Sequence, residues 1–380
     1  MITNSAKNNS VKKPRVAFLY PDPENSGSST IRARLTIQAL QQVVQAHELA
    51  MVGTPDWVVS PSVEPNIALE KDVGPMRLGL LHCSRRALKL LEEIKPQIIH
   101  SITTQAVAPA LVFKRRHPET KVIFEMHALS YLELKNDLLR RRLTSGFLDY
   151  LGARRADSIV SMSHSQRELL HRWFRVRPEK VHVSWGPVDM ELFHYQDPGP
   201  ASPFLVGYSG GNSFWHGVET VIEAARILQH DEGVRFLIMG FPSEGYLGLG
   251  LKNITFMDTL PREEVPKHLA RCHLLVAPHI GGRVTDSQYP FKLSAYLAVG
   301  RPIVASRAND QPLVLKQADC GLIVPPNDGR ALAEAVLQVK SMKEEDRVKL
   351  GRSGRQFAER HLSLHKLADD MLAIYHSVLA

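Results

Sequence analysis

The sequence predicts an α/β protein made of two doubly wound domains that face each other across a cleft. Three observations carry that expectation. Short β-branched or apolar runs alternate with longer amphipathic stretches along the whole chain, the rhythm of parallel strands joined by crossover helices. One polar segment rich in Pro and Gly, HYQDPGPASP at 194–203, interrupts that rhythm, which then restarts. The 380 residues, 44% hydrophobic and 23% charged, suffice for two such units.

The elements follow in chain order. The polar start, MITNSAKNNSVKKP, has no apolar core of the signal-peptide kind and reads as a disordered lead-in over 1–13. Strands are expected at RVAFLY (15–20), QIIHS (97–101), KVIFEM (121–126), SIVSM (158–162) and KVHVS (180–184). Amphipathic helices, such as Ile31–Gln45 and Leu132–Arg155, lie between them, which makes 14–195 the first domain. The second domain, 196–362, has strands at FLVGYS (204–209), VRFLIMG (234–240), NITFMD (253–258), HLLVAP (273–278), PIVAS (302–306) and GLIVP (321–325). The tail, about 343–379, reads as wholly helical. No repeat of the solenoid kind is present.

Composition narrows the function. No apolar run reaches the roughly 18–20 residues of a membrane helix. Cys83, Cys272 and Cys320 are too few and too scattered for a zinc site or a disulfide framework, so a reducing cytoplasm is expected. Cys272, inside RCHLLVAPH, reads as a packed thiol. The net charge of +8 is uneven: residues 1–200 hold 27 Lys+Arg against 20 Asp+Glu, the remainder 20 against 19. The excess includes Lys114-Arg115-Arg116, Arg140-Arg141-Arg142 and Arg154-Arg155. A basic half fits an anionic neighbour, either a phosphorylated substrate or an acidic membrane surface, and each cluster also fits a solvated helix face. Nucleic acid is not expected, because the arginine clusters lack interleaved aromatic platforms.

Open α/β sheets bind ligands beyond the carboxyl ends of their strands, so the chemistry is sought in the loops that follow strands. The first, PDPENSGSST at 21–30, contains Ser26 and Gly27. Glycine permits close backbone approach and the next helix offers free N–H groups, suited to an anion or a sugar hydroxyl, although a plain polar turn fits as well. There is neither G-x-G-x-x-G nor a P-loop lysine. The second loop, FEMHALSYLE at 124–133, places His127 at a strand end, either to meet a hydroxyl or to be satisfied locally. The third runs through Ser209-Gly210-Gly211-Asn212 to a helix beginning near Trp215-His216-Gly217. Small residues and a helix N-terminus there favour a diphosphate, with His216 in reach of it. The fourth, HIGGRVTDSQYP, carries Arg283 and leads into a helix from about Phe291 to Val299 with Lys292 near its start. That lysine either snorkels to solvent or neutralises a phosphate.

Several of these stretches, taken in order, resemble a large family. They are ARRADSIVSMSHSQRELL, KVHVSWGPVDMELF, VGYSGGNSFWHGVETVIEAARIL, ITFMDTLPREEVPKHLARCHLLVAPH, PFKLSAYLAVGRPIVAS and CGLIVPPNDGRALAEAV. Their series is similar to that of the GT-B-fold retaining glycosyltransferases of family four. The resemblance implies two Rossmann-like domains, with a C-terminal helix, about 363–380, returning to the first. It implies a nucleotide-sugar donor as substrate on the second domain, no cofactor and no metal. The acceptor, a glycan, a lipid-linked sugar or a small molecule, would lie on the first domain near Ser26 and Gly27. It implies catalytic roles for His127 and Lys292, and donor contacts from Ser209, Gly210, Gly211, Asn212, His216, Arg283, Ser287, Tyr289, Pro290 and Leu293. Loop N–H groups around Gly210 to Asn212 would assist. The sequence departs from the family at four points: Gly211 and His216 stand at its Arg and Lys, and Ser287 and Ala295 at its two glutamates. Pro290-Phe291-Lys292 matches a P-x-K branch, and Lys292 is the substitute cation. A cytoplasmic location is expected from the cysteine usage, with peripheral contact at the inner membrane face through the basic half. The alternative is a binding or scaffold protein that kept the fold and lost catalysis.

Overall fold

The computed structural model describes residues 13–20, 28–41, 43–52, 56–59, 79–134 and 139–380. The expected lead-in, apart from Lys13, and the loop with Ser26 and Gly27 lie outside the described residues. The first sheet comprises β1 (Arg15–Tyr20), β2 (Gln45–Val52), β3 (Asp56–Val59), β4 (Ile98–Ile102), β5 (Lys121–Met126), β6 (Ser158–Ser161) and β7 (Val181–Val183). Its order is β3-β2-β1-β4-β5-β6-β7, parallel except for the antiparallel edge strand β3. The second sheet comprises β8 (Phe204–Ser209), β9 (Val234–Met239), β10 (Ile254–Met257), β11 (Leu274–Ala277), β12 (Ile303–Ser306) and β13 (Gly321–Val324). It is parallel throughout, in the order β10-β9-β8-β11-β12-β13. Each sheet reverses its winding once, between β1 and β4 and between β8 and β11, and a crevice opens beyond the strand ends at each reversal.

The strands read as unbroken apolar runs because both faces of each sheet are covered. One face of the first sheet packs against helices 79–94, 104–116, 139–155 and 164–174. Its other face is covered by the first helix, through Ala33, Ile37 and Leu40, and by the chain's end: Val16, Phe18, Ile98, Ile123 and Val160 pack with Leu367, Met371, Ile374 and Tyr375 of the helix Leu364–Leu379. Full burial of a Phe, Leu or Ile side chain contributes about 1.5–3 kcal/mol, which is what returns the last helix to this sheet.

The helical tail is two helices, Glu344–His361 and Leu364–Leu379. The break is at Ser363, whose hydroxyl caps the second helix by accepting from Lys366 N–H at 3.3 Å. At that break Leu362 O accepts from Val188 N–H at 2.8 Å, where the chain crosses in the other direction. Val188 and Phe193 of that crossing pack into a core of the second domain.

Three local expectations change. The first helix is Ser28–Leu40, and Gln45 begins β2 because it pairs with Arg15. The stretch Leu132–Arg155 is divided into a short turn of helix, Ser130–Glu133, and the helix Leu139–Arg155. The helix expected near Trp215 starts at Val218, because Gly217 adopts φ +71° and breaks it from the 3-10 turn Phe214–His216.

Candidate active site

The second-domain crevice is built from the loops after β8 and β11 and the helix Phe291–Ala298. That helix is fixed by burial of Leu293, Tyr296, Leu297 and Ala298. Tyr296 accepts Ser209 N–H at 2.7 Å, and Tyr208 donates to Gly211 O at 2.7 Å, so two buried hydroxyls pin the loop after β8 from below. Gly210 N–H donates to Met239 O at 3.0 Å and is therefore not free for a ligand, contrary to expectation. Gly210 stands at φ +143°, and a Cβ there would sit 2.7 Å from Lys292 Nζ. Gly217 is pressed onto the loop after β11: a Cβ would sit 1.8 Å from Pro278 O, so only glycine fits.

Lys292 Nζ is closed off from solvent, although the stem of the side chain stays partly exposed. Among the described residues it has no hydrogen-bond partner; it lies over the Tyr208 ring, 4.0 Å from the centroid. Burial brings its pKa down to about 7. Beside it lie two further unsatisfied nitrogens, His216 Nδ1 and His279 Nδ1, on rings 5.5 Å apart. Burial, and then the Lys292 charge, press His216 down to about 3. The same two causes hold His279 well below the usual histidine range. One cation and two neutral rings thus converge without an acidic partner, and an anion is the ligand chemistry that satisfies all three.

Other predicted donor residues serve different ends. Ser287 is buried; its hydroxyl donates to Val284 O at 2.8 Å and its carbonyl accepts from Gln166 Nε2 at 2.8 Å. The Tyr289 hydroxyl pairs with Ser294 at 3.1 Å, and Ser294 donates to Gly186 O at 2.7 Å. Leu293 lies in the core, Pro290 caps the helix, and Asn212 is exposed. Arg283 is exposed, with its guanidinium 5.4 Å from the Trp173 ring centroid in the first domain.

His127 directly follows β5 in the first domain. Its Nε2 is 2.7 Å from Glu125, which is fully buried. Glu125 also accepts from Arg32 Nε at 3.0 Å and from His100 Nε2 at 3.1 Å. Burial alone would raise the Glu125 pKa; the Arg32 charge and the two histidine hydrogen bonds outweigh it and hold it well below the usual value. An ionised carboxylate only accepts, so His127 Nε2 carries a proton, and in the neutral ring Nδ1 presents its lone pair. That Nδ1 is buried and without a partner among the described residues. The two faces meet nearby, where Gln288 Nε2 donates to Glu133 at 2.8 Å.

Comparison with known proteins places both halves. Residues 33–192 match the model of the Glycosyltransferase Family 4, and 203–341 that of the Glycosyl transferases group 1. The chain belongs to the group 1, family 4 glycosyltransferases. A D-inositol 3-phosphate glycosyltransferase of Saccharomonospora viridis is 25% identical over 252 residues, 59% of this chain and 56% of that one. The chain spans about half the length of the curated relatives it matches. Among solved structures, sucrose-phosphate synthase from Thermosynechococcus elongatus shares the GT-B fold at TM-score 0.75 and 19% identity, over 97% of this chain and 99% of that one. HepE of Anabaena, solved with UDP and glucose, gives TM-score 0.72 at 14% identity, over 96% and 100%.

Several groups carry the site that sequence reasoning passed over. His279 lies two residues after β11, beside the strand-end position that singled out His127, and that signal was available. Tyr208 and Tyr296 read as core. Arg32 and Glu125 lie 93 positions apart, and only the fold joins them. Asp310 accepts from His164 N–H and Trp185 Nε1 at 2.7 Å and from Ser165 N–H at 3.0 Å, tying the loop after β12 to the helix His164–Phe174 of the first domain. Cys272 is buried, which pushes its thiol up to about 12.

Proposed function

We propose that this chain moves a sugar from a nucleoside-diphosphate sugar to an acceptor with retention of anomeric configuration. The observation that carries the reading is the unpartnered Lys292 Nζ beneath Gly210, flanked by His216 and His279. A diphosphate in the crevice between the loops after β8 and β11 gives the ammonium its counter-charge. As the glycosidic bond breaks, the leaving diphosphate gains negative charge, and a fixed cation in a dry site stabilises it most at that moment.

His127 Nδ1 then accepts a hydrogen bond from a hydroxyl of the donor sugar or the acceptor. Glu125 is held by Arg32, His100 and His127 and is not free to act as a nucleophile. The reading therefore gives the acceptor proton to the departing phosphate, with attack on the leaving-group face, and this yields retention. Protein groups meet the diphosphate charge, so turnover persists in a chelator, and no cofactor takes part. The acceptor is a glycan, a lipid-linked sugar or a small molecule.

A panel of nucleotide sugars tests this directly, with calorimetric binding, nucleotide release and the anomeric configuration of the product by NMR. At least one nucleoside diphosphate binds wild type, and Lys292→Ala weakens that binding. No binding of any of them overturns the reading.

A further inference from the structure

The helix Leu139–Arg155 is docked by only half its length. Its C-terminal half packs closely: a Cβ on Gly152 would lie 2.6 Å from the Phe124 ring, and Ala153 is buried. From Leu139 to Leu148 none of the residues whose side chains are described is buried. Instead Leu139, Leu143, Phe147 and Tyr150 are 64%, 53%, 59% and 42% exposed. Their spacing of four, four and three places them within roughly 80° of one helix face. These are four of the large hydrophobic side chains the described protein leaves in water, and they form one stripe. Tyr131 extends it, since a Cβ on Gly146 would touch the Tyr131 ring and its Cβ.

Charge on this helix is one-sided. Arg140 and Arg142 fall on opposite flanks of the stripe, at roughly 100° and −60° from Leu139. Arg142 lies over Tyr131, 4.0 Å from the ring centroid, and donates to Tyr131 O at 2.8 Å. The one acid within Leu139–Arg155 is Asp149. It is fully buried and accepts from Ser130 N–H at 2.7 Å and from Thr104, so it does not offset the arginines at the surface. Glu133, on the turn that carries Tyr131, is exposed and accepts from Gln288. An apolar stripe with aromatic residues, on a helix with flanking arginines and no exposed carboxylate of its own, is the pattern of a helix that lies in a membrane interface. Among the described residues no helix is long and apolar enough to cross a membrane, so contact through this one would be peripheral.

We infer that the N-terminal half of the helix Leu139–Arg155, with Tyr131, docks the protein on an anionic lipid surface. Leu143, Phe147 and Tyr150 enter the headgroup boundary, and the arginines meet lipid phosphates. Charge complementarity selects this occupant. A second copy of the chain would set the same arginines against each other across a two-fold axis, with no exposed acid on either helix to pair them.

The test is co-sedimentation of the full chain with vesicles of phosphatidylcholine alone and of phosphatidylcholine with 30% phosphatidylglycerol. Binding is expected on the anionic vesicles, weak or absent on the neutral ones, and falling in high salt as surface charge is screened. Leu143→Ser/Phe147→Ser should lower the affinity at least about tenfold with an unchanged melting temperature, since both side chains are exposed. Arg140→Gln should cost roughly fivefold and flatten the salt dependence. Failure to bind anionic vesicles overturns the inference, as does binding that Leu143→Ser/Phe147→Ser leaves unchanged. So does a dimer, seen by analytical ultracentrifugation, that the same variant dissolves. The outcome does not depend on whether the chain transfers sugar, because the helix is separate from the Lys292 group.

Discussion

Arg32 in the first domain and Lys292 in the second are both cations withdrawn from water, and they are satisfied in opposite ways. Arg32 bonds Glu125, the Trp185 carbonyl at 2.9 Å and the Ser184 hydroxyl at 3.0 Å. Among the described residues Lys292 has an aromatic face and no acceptor. Burying an unpaired ion costs several kcal/mol, so the first arrangement offsets that cost within the chain and the second leaves it for a ligand to offset. The first domain thus holds a rigid support that aims His127, and the second holds an incomplete site.

The comparison breaks or holds most visibly in stability. Arg32→Met strands the Glu125 carboxylate with two histidines and should destabilise the protein by about 3–5 kcal/mol in denaturant unfolding. Arg32→Met/Glu125→Met should recover most of that loss. Lys292→Met removes a buried charge that nothing pairs, so stability should hold or rise. Its cost should fall on catalysis, on the order of 10²–10³ in turnover with the preferred donor. If Lys292→Met unfolds the protein as readily as Arg32→Met, the two cations are alike and the second site is structural.

The fold was legible where runs were long and apolar. RVAFLY and KVIFEM announced β1 and β5, and PIVAS announced β12, because strands buried on both faces need no alternation. β2 and β3 were not read, since QAHELAMV mixes polar and apolar residues without a clear period. Lys292 was legible as a cation without a nearby acid in sequence. Its isolation in space was not, because Tyr208 and Gly210 approach it from more than 80 positions away. Arg283 looked like a second phosphate cation from its loop, whereas the fold turns it to Trp173. A strand-end loop announces that chemistry belongs there, and tertiary packing decides which of its side chains faces the crevice.

pH sharpens the difference between the two cations. Burial leaves Lys292 at about 7, against about 10.4 for an unburied lysine. Between those values the unfolded chain binds more protons than the folded one at this residue, so its contribution makes stability rise with pH across that window. Ligand binding has the opposite sign, because the phosphate needs the ammonium. The Kd for the preferred nucleoside diphosphate should rise above pH 7, by at most about tenfold per unit, and the rise should vanish in Lys292→Met. A calorimetric titration from pH 6 to 9 on both proteins reads this.

The smallest effect tests whether the two regions are separate. Tyr375, on the returning helix, is 2.7 Å from His100 Nδ1, while His100 Nε2 holds Glu125. The carboxylate takes the Nε2 proton, so in the neutral ring Tyr375 is the donor and His100 Nδ1 the acceptor. Tyr375→Phe leaves that nitrogen unsatisfied and should cost about 1 kcal/mol in denaturant unfolding. Leu367, Met371 and Ile374 still bury the helix, so the fold should persist. Affinity for the nucleoside diphosphate should stay at the wild-type value, because the hydrogen bonds from Tyr375 lead through Glu125 to His127 and Arg32 and do not include Lys292. A shift in that Kd with Tyr375→Phe would mean that the satisfied network and the unsatisfied one act as a single unit across the cleft.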